Sequence, residues 1–322
     1  MKILFADKFP DAYMQELVQR GHECTYQPNL TADDLAAAVP GHEALVVRST
    51  KVNADTIGAG SDLKLVIRAG AGTNTIDKAV AAENGVSVCN VPGKNAVAVA
   101  ELVMGLLLAI DRRIPDNVAE LRDGKWNKKT YSEAQGLYGR KMGVVGLGAI
   151  GLAVVERARA FGIDIIVIRK SGRSAELQKQ LNDLGVQYVD DLGTLVESCD
   201  IISLHVPASD DTKGMVNQEF LAKLKPDSIL LNASRGDVID ESALVAAMGK
   251  KGIRAGLDVY ADEPGSGQAD FDSVLAKHPN VYGTHHIGAS TTQAQNAVAE
   301  GVIEIVDAYV DGTVLNCVNG VG

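Results

Sequence analysis

A chain of 322 residues is longer than one typical hydrophobic core and implies two domains. Its 46% hydrophobic and 22% charged residues are those of an ordinary globular protein. A formal net charge of −10 excludes a broad surface for nucleic acid or an anionic membrane, while leaving room for a local basic pocket.

The N-terminal run Met1-Lys2-Ile3-Leu4-Phe5-Ala6-Asp7-Lys8 meets charge too early for a signal peptide. Strand-like apolar runs follow one another at Lys2 to Ala6, Ala44 to Val47, Leu65 to Ile67 and Val86 to Cys89. Helical patterns lie between them, over Ala12 to Arg20 and Thr31 to Ala38. After the breaker Val91-Pro92-Gly93, a long apolar helix is predicted over Val97 to Ile110; its core, Leu102 to Ile110, is too short to span a bilayer. A second series of strands is predicted at Lys141 to Val145, Ile163 to Ile168, Ile201 to Val206, Ser228 to Asn232, Arg254 to Leu257 and Val281 to Tyr282, and a last helix over Thr292 to Val310. Such alternation predicts an α/β protein with two doubly wound parallel-sheet, Rossmann-like domains separated by a cleft. Residues 95–288 form the expected dinucleotide-binding domain. Residues 1–94 and 289–322 form a discontinuous substrate-binding domain, the long helix crossing out of it and the last helix crossing back. The cleft is where a substrate would meet a cofactor. Cys24, Cys89, Cys199 and Cys317 are scattered, with no Cys-x-x-Cys pair, so reduced thiols in a cytoplasmic protein are expected, without metal or disulfide.

The segment Gly143-Val144-Val145-Gly146-Leu147-Gly148-Ala149-Ile150-Gly151 carries Gly-x-Gly-x-x-Gly between a predicted strand and the helical stretch Leu152 to Phe161. Gly146 allows the tight turn, Gly148 lets the backbone approach a pyrophosphate, and Gly151 lets helix and strand pack closely. The free N–H groups around Ala149 and Ile150 at the helix start suit an anion. Rossmann domains that bind NAD place an acid about twenty residues beyond this turn, to hold the ribose 2′-hydroxyl. Here the second strand runs into Arg169-Lys170-Ser171-Gly172-Arg173, with no acid at that place. Arg169, Lys170, Ser171 and Arg173 suit a 2′-phosphate, so NADP is favoured as cofactor; a solvated basic loop with NAD bound lacking its usual acid is the alternative.

Four further segments extend the pattern: Arg68-Ala69-Gly70-Ala71-Gly72-Thr73-Asn74-Thr75-Ile76-Asp77, Asn232-Ala233-Ser234-Arg235-Gly236, Asp258-Val259-Tyr260-Ala261-Asp262-Glu263-Pro264 and His286-Ile287-Gly288-Ala289-Ser290-Thr291. With the glycine fingerprint, their order and spacing resemble the D-isomer-specific 2-hydroxyacid dehydrogenases over nearly the whole chain, most closely the short phosphoglycerate dehydrogenases without a C-terminal regulatory domain. The resemblance implies an Arg, a Glu and a His acting together, at Arg235, Glu263 and His286. Reducing a 2-keto acid leaves negative charge on the carbonyl oxygen, which calls for a proton donor of near-neutral pKa such as histidine. A carboxylate beside an imidazole favours its charged form. An arginine fork can polarise the keto oxygen and grip the carboxylate together. The family usually has Pro before this His, where this chain has His285; Ile287-Gly288 fixes the register on His286.

The resemblance also implies that His205-Val206-Pro207 and Thr212 line the cofactor, with Asn232, Ala233 and Ser234, and that Asp258 contacts the nicotinamide carboxamide. The loop around Ala71, Gly72 and Thr73 should offer backbone N–H groups to the substrate carboxylate. Arg48, Ser49 and Lys51 match a segment associated with the substrate phosphate in phosphoglycerate dehydrogenases, and a solvated basic turn fits them nearly as well.

The leading expectation is an oxidoreductase for a small D-2-hydroxy acid, phosphoglycerate-like favoured, with glyoxylate or hydroxypyruvate reduction as the alternative. Formate dehydrogenases share the fold but have Gln where Glu263 stands. A dinucleotide-sensing corepressor-like protein is the reading from another class, although the disordered extensions of a scaffold are missing. The chain ends at Gly322 soon after its last helix, so control through a C-terminal regulatory module is not expected. A homodimer is expected, with the segment from Trp126 to Tyr138 as its arm.

Overall fold

The computed structural model describes residues 1–264 and 268–321. They form two compact units, Met1–Ala96 with Ala289–Gly322, and Val97–Gly288.

In the first unit the chain runs β1 (Lys2–Phe5), α1 (Asp11–Gln19), β2 (Glu23–Tyr26), α2 (Ala32–Ala38), β3 (Ala44–Val47), α3 (Ala54–Ala59), β4 (Leu65–Arg68), α4 (Lys78–Glu83) and β5 (Ser87–Asn90). The strands are all parallel, in the order β2-β1-β3-β4-β5. A parallel sheet needs both faces covered, so its inner strands read as unbroken apolar runs such as Ala44–Val47, buried throughout. On one face Leu35, Ile57 and Ala81 of α2, α3 and α4 pack against Leu4, Leu45 and Val66.

The long helix α5 (Ala96–Arg112) spans the boundary of the units, and α6 (Ile114–Arg122) follows it. The second unit continues with β6 (Lys141–Val145), α7 (Ala149–Ala160), β7 (Asp164–Ile168), α8 (Ala175–Asp183), β8 (Gln187–Val189), α9 (Leu192–Ser198), β9 (Ile201–Leu204), α10 (Gln218–Lys223), β10 (Ile229–Asn232), α11 (Glu241–Lys251), β11 (Arg254–Leu257) and β12 (Val281–Gly283). Its seven parallel strands lie in the order β12-β11-β10-β9-β6-β7-β8. Winding reverses between β6 and β9, and the loops after these two strands flank the switch point where open α/β sheets bind ligands. Residues of α5, α7 and α8 cover one face, and those of α9, α10 and α11 the other.

The last helix, α12 (Thr292–Val310), returns to the first unit. Val302, Ile303, Ile305 and Val306 join Met14 and Leu17 of α1 over the second face of that sheet. The residues beyond it pair with the edge of β5: the Val318 N–H donates to the Val88 carbonyl at 2.8 Å. The Asn319 amide imitates a strand there, accepting from the Val88 N–H at 3.0 Å and donating to the Val86 carbonyl at 2.8 Å.

The sequence reading named four strands in the first sheet and six in the second, and the structure adds β2 and β8. Both are edge strands with no fully buried residue, so the apolar pattern that marks inner strands is missing from them. A Cβ at Gly301 of α12 would overlap the buried Val91 side chain, whose β-branch leaves it little room to turn. Replacing Gly301 by Val is expected to overpack this contact and cost about 1–3 kcal/mol, read as a lower urea midpoint at unchanged slope.

Candidate active site

Because every strand of the second unit runs in the same direction, the loops leaving β6, β7, β9, β10, β11 and β12 all emerge on one edge of its sheet. The catalytic and cofactor-binding residues that the sequence singles out in this unit lie on these loops, at the ends of their strands, or on the first turn of α7. After β6, Gly146 has a φ of 95°, open to glycine and costly for other residues. A Cβ at Gly146 would overlap the His205 carbonyl, and one at Gly151 would overlap the Gly146 carbonyl. Among the described residues, nothing beyond the chain next to Gly148, the residue before α7, lies within 4 Å of where a Cβ would stand. No side chain caps α7, so the first-turn N–H groups around Ala149 and Ile150 keep their hydrogen-bonding capacity. His205 follows β9, its Nε2 lying 2.8 Å from the Ser203 hydroxyl; burial pushes the imidazole down to about 4, so it is neutral at physiological pH. Val206 and Pro207 continue that loop, which Thr212 closes by donating to the Pro207 carbonyl at 2.6 Å.

At the end of β7, Arg169, Lys170 and Ser171 are exposed and Arg173 is half-buried. Arg169 pairs with Asp190 at 3.4 Å, and Arg173 donates to the Ile168 carbonyl at 2.6 Å.

The turn after β10 is built by Asn232, which is 1% exposed. Its side chain donates to the Arg235 carbonyl at 2.8 Å and accepts from the Ser234 hydroxyl at 2.6 Å and N–H at 3.0 Å. All of these bonds serve the turn that projects Arg235, and Ala233 packs on the core behind it. A Cβ at Gly236 would overlap the backbone of Tyr260 and Ala261, so glycine there lets the Arg235 turn lie against the loop that carries Glu263. That loop is tied down by Glu241, which accepts from the Ala261 N–H at 2.9 Å.

His286 Nδ1 lies 2.6 Å from Glu263 Oε1. Burial raises the Glu263 carboxyl, but the His286 hydrogen bond, the His286 charge, the Tyr260 N–H and the Arg235 guanidinium outweigh it and hold the group below the ordinary carboxylate range. The carboxylate therefore persists above that lowered value and is lost only as pH falls through it. His285 is exposed and forms no hydrogen bond with any described residue.

His286 has a φ of 52°, an uncommon conformation for a residue with a side chain. Asp258, 1% exposed, holds it there. One of its oxygens accepts from the Thr284 hydroxyl at 2.7 Å and the Ile287 N–H at 2.8 Å, and the other from the Gly288 N–H at 2.8 Å. The sequence reading sends this acid to the nicotinamide; in the structure both oxygens grip the His286 loop.

In the first unit, the loops after β3 and β4 carry Arg48, Ser49 and Lys51 beside Ala71, Gly72 and Thr73. They are zipped together beyond the sheet: the Val52 N–H donates to the Thr75 carbonyl at 2.8 Å, and the Asp77 N–H to the Val52 carbonyl at 2.9 Å. Asp7, which the sequence reading passed over, accepts from the N–H groups of Arg48, Ser49 and Thr50 at 2.6, 3.0 and 3.0 Å. All three of those N–H groups are thus already used, leaving the side chains of Arg48 and Lys51 as cationic donors. Arg48 Nη2 donates to the Ser290 hydroxyl at 3.2 Å, and Lys51 is exposed. Thr73 is 9% exposed and its hydroxyl accepts from Lys78 at 3.4 Å, while the Ala71 carbonyl accepts from Asn90 at 2.6 Å.

The family model for the D-isomer specific 2-hydroxyacid dehydrogenase, NAD binding domain, matches residues 104–288. The chain is 39% identical to a D-3-phosphoglycerate dehydrogenase of Methanocaldococcus jannaschii over 99% of its own length and 60% of that protein's, so it spans about three-fifths of that relative. It is 43% identical to a hydroxypyruvate reductase of Thermotoga maritima, over 86% of this chain and 87% of that one. Among solved structures, an NADPH-dependent glyoxylate/hydroxypyruvate reductase of Sinorhizobium meliloti superposes with a TM-score of 0.83 at 30% identity, covering 98% of this chain and 97% of that one. With the family model matched over residues 104–288 and 43% identity to the Thermotoga maritima protein, the chain belongs to the D-isomer specific 2-hydroxyacid dehydrogenase family.

Proposed function

We propose that this protein is a nicotinamide-dependent oxidoreductase interconverting a small D-2-hydroxy acid and its 2-keto partner. The observation that carries this reading is His286 bound through Nδ1 to Glu263 at 2.6 Å, with the charge of Arg235 reaching the same carboxylate. The residues after β6 suit a dinucleotide: Gly146 and Gly151 leave no room for a side chain, whereas the space beside Gly148 is open and α7 begins with uncapped N–H groups. A reduced nicotinamide bound there supplies a hydride to the keto carbon. Arg235 binds the substrate carboxylate and polarises the keto oxygen, its planar fork serving both. Nδ1 of His286 is committed to Glu263, so Nε2 is the atom that donates the proton to the developing alkoxide and, in the oxidation direction, removes it.

NADP is the cofactor this reading favours, because the loop after β7 offers Arg169, Lys170, Ser171 and Arg173 where an acid would otherwise hold a ribose 2′-hydroxyl. For the substrate, the backbone donors spent on Asp7 favour an unphosphorylated keto acid such as hydroxypyruvate or glyoxylate. A phosphorylated substrate is the second reading, supported by Arg48 and Lys51 and by likeness to phosphoglycerate dehydrogenases. A homodimer through the second unit accords with Trp126 and Tyr138, which are 82% and 90% exposed.

The catalytic assignment predicts that His286→Ala lowers kcat by about two to four orders of magnitude while the cofactor Kd, read by nicotinamide fluorescence, stays within a few fold. His285→Ala should cost far less; the reverse ranking assigns the proton to His285. Replacing Asp258 by Ala releases three donors from the His286 loop. It is expected to lower kcat sharply with the imidazole still present, and to lower Tm by the equivalent of about 1–3 kcal/mol for each donor left buried and unpaired. Unchanged kcat would remove Asp258 from the site's support. The function as a whole is tested by kcat/KM for hydroxypyruvate, glyoxylate and phosphohydroxypyruvate with NADPH and NADH, in the wild type and in Arg169→Asp, Arg48→Ala and Lys51→Ala. Preference for NADPH that falls in Arg169→Asp is expected, and a wild-type preference for NADH unchanged by that charge reversal overturns the NADP assignment. Loss confined to phosphohydroxypyruvate in the Arg48 and Lys51 variants favours the phosphorylated substrate, and equal loss for all three assigns those residues to the scaffold.

A further inference from the structure

The loop after β7 is organised by a residue outside it. Tyr188 of β8 lies beneath both arginines, with the Arg169 guanidinium 5.3 Å and the Arg173 guanidinium 5.9 Å from its ring centroid. The ring is fixed at its far end: the hydroxyl accepts from Gln178 at 2.7 Å and donates to Asn182 at 3.4 Å, both residues of α8. Arg173 is pinned further by its bond to the Ile168 carbonyl, and the Arg169 backbone by an N–H donation to the Val189 carbonyl at 2.7 Å. Both guanidiniums thus lie within 6 Å of one ring centroid, and an anion that reaches both would offset their like charge.

Asp190, the residue after β8, is the acid paired with this cluster, while its neighbour Asp191 is committed to capping α9. The Asp190 and Arg169 side chains are 88% and 66% exposed. An ion pair so open to solvent is weak and exchanges readily for a better anion. A phosphate dianion accepts from both arginine forks at once, which a single exposed carboxylate at 3.4 Å from Nε does not.

We infer that Tyr188 is the positioning residue of a two-arginine clamp for the 2′-phosphate of the cofactor, and that Asp190 is its exchangeable counter-ion. The inference rests on the NADP reading above and adds two residues to it, neither belonging to the glycine fingerprint nor to the basic run. Tyr188 spares the arginines the cost of ordering two long side chains when the phosphate arrives. Asp190 competes with that phosphate for Arg169.

The test uses adenosine halves of the cofactor, so that neither nicotinamide nor turnover enters. Binding of 2′,5′-ADP and of 5′-AMP to the full chain is measured by calorimetry for the wild type, Tyr188→Leu, Tyr188→Phe and Asp190→Asn. The wild type is expected to prefer 2′,5′-ADP. Tyr188→Leu should weaken 2′,5′-ADP about fivefold or more and 5′-AMP by less than about twofold, in line with the loss of two cation–π contacts. Tyr188→Phe should retain most of the preference. Asp190→Asn should tighten 2′,5′-ADP by about two- to threefold and leave 5′-AMP unchanged, as release of an exposed pair allows. A wild-type chain without preference for the 2′-phosphate overturns both the NADP reading and the clamp. A wild-type preference that survives intact in Tyr188→Leu, or equal losses for both ligands, overturns the clamp alone. Should Tyr188→Leu fail to fold, Asp190→Asn decides, and unchanged 2′,5′-ADP affinity there overturns the inference.

Discussion

The site depends most on the buried carboxylate of Asp258. It accepts three hydrogen bonds from the segment Thr284 to Gly288, and between those donors stands His286 with a φ of 52°. A left-handed residue with a Cβ costs of order 1–3 kcal/mol unless its surroundings over-determine it. Donation of two successive N–H groups, Ile287 and Gly288, to the two oxygens of one carboxylate does that. The backbone turn aims the imidazole, and Glu263 then fixes its ring through Nδ1. One acid orients the chain and the other orients the side chain. Neither alone would hold Nε2 at a defined place, and the proposed role of His286 needs one, because a proton donor misplaced by about an ångström loses much of its effect.

A second constraint is close backbone approach. The Arg235 turn and the Glu263 loop come from neighbouring strands, β10 and β11, and touch at Gly236 with no space for a side chain. The glycine loop after β6 meets the loop after β9 in the same way at Gly146. In both places the glycine's value lies in what it allows another loop to do. The chemistry of Arg235 and Glu263 therefore depends on a residue that has no chemistry of its own.

Much of this was legible in the sequence, for reasons that also explain the remainder. Inner strands of a parallel sheet must be apolar on both faces, so Ala44–Val47 and Lys141–Val145 were read with the bounds they have in the structure. Edge strands β2 and β8 face solvent and carry no such signal. The glycine fingerprint and the Arg, Glu and His segments are local in sequence and stood out. What was hidden is the support from side chains to distant backbone. Asp7 meets Arg48 across 41 residues and Glu241 meets Ala261 across 20, and no spacing rule reports such contacts. Asp258 was found by its motif, but which donors it serves depends on a loop 26 to 30 residues further on.

Charge ties the parts together. The dinucleotide and the 2-keto acid of the proposed reaction are both anions, whereas the chain carries a net charge of −10. Attraction cannot come from the molecule's overall field. At physiological salt, exposed charges are screened beyond about 8 Å, so what counts is the sign of the few groups nearest each bound oxygen. The second unit meets this with separate islands: uncapped N–H groups at the start of α7, two arginines on Tyr188, and Arg235 beside the Glu263–His286 pair. Two of these islands have an acid close by, Asp190 paired with Arg169 and Glu263 with His286. The surplus of acid elsewhere then works as selection, because an anion gains only where it can touch one of these islands and is repelled from the rest of the surface.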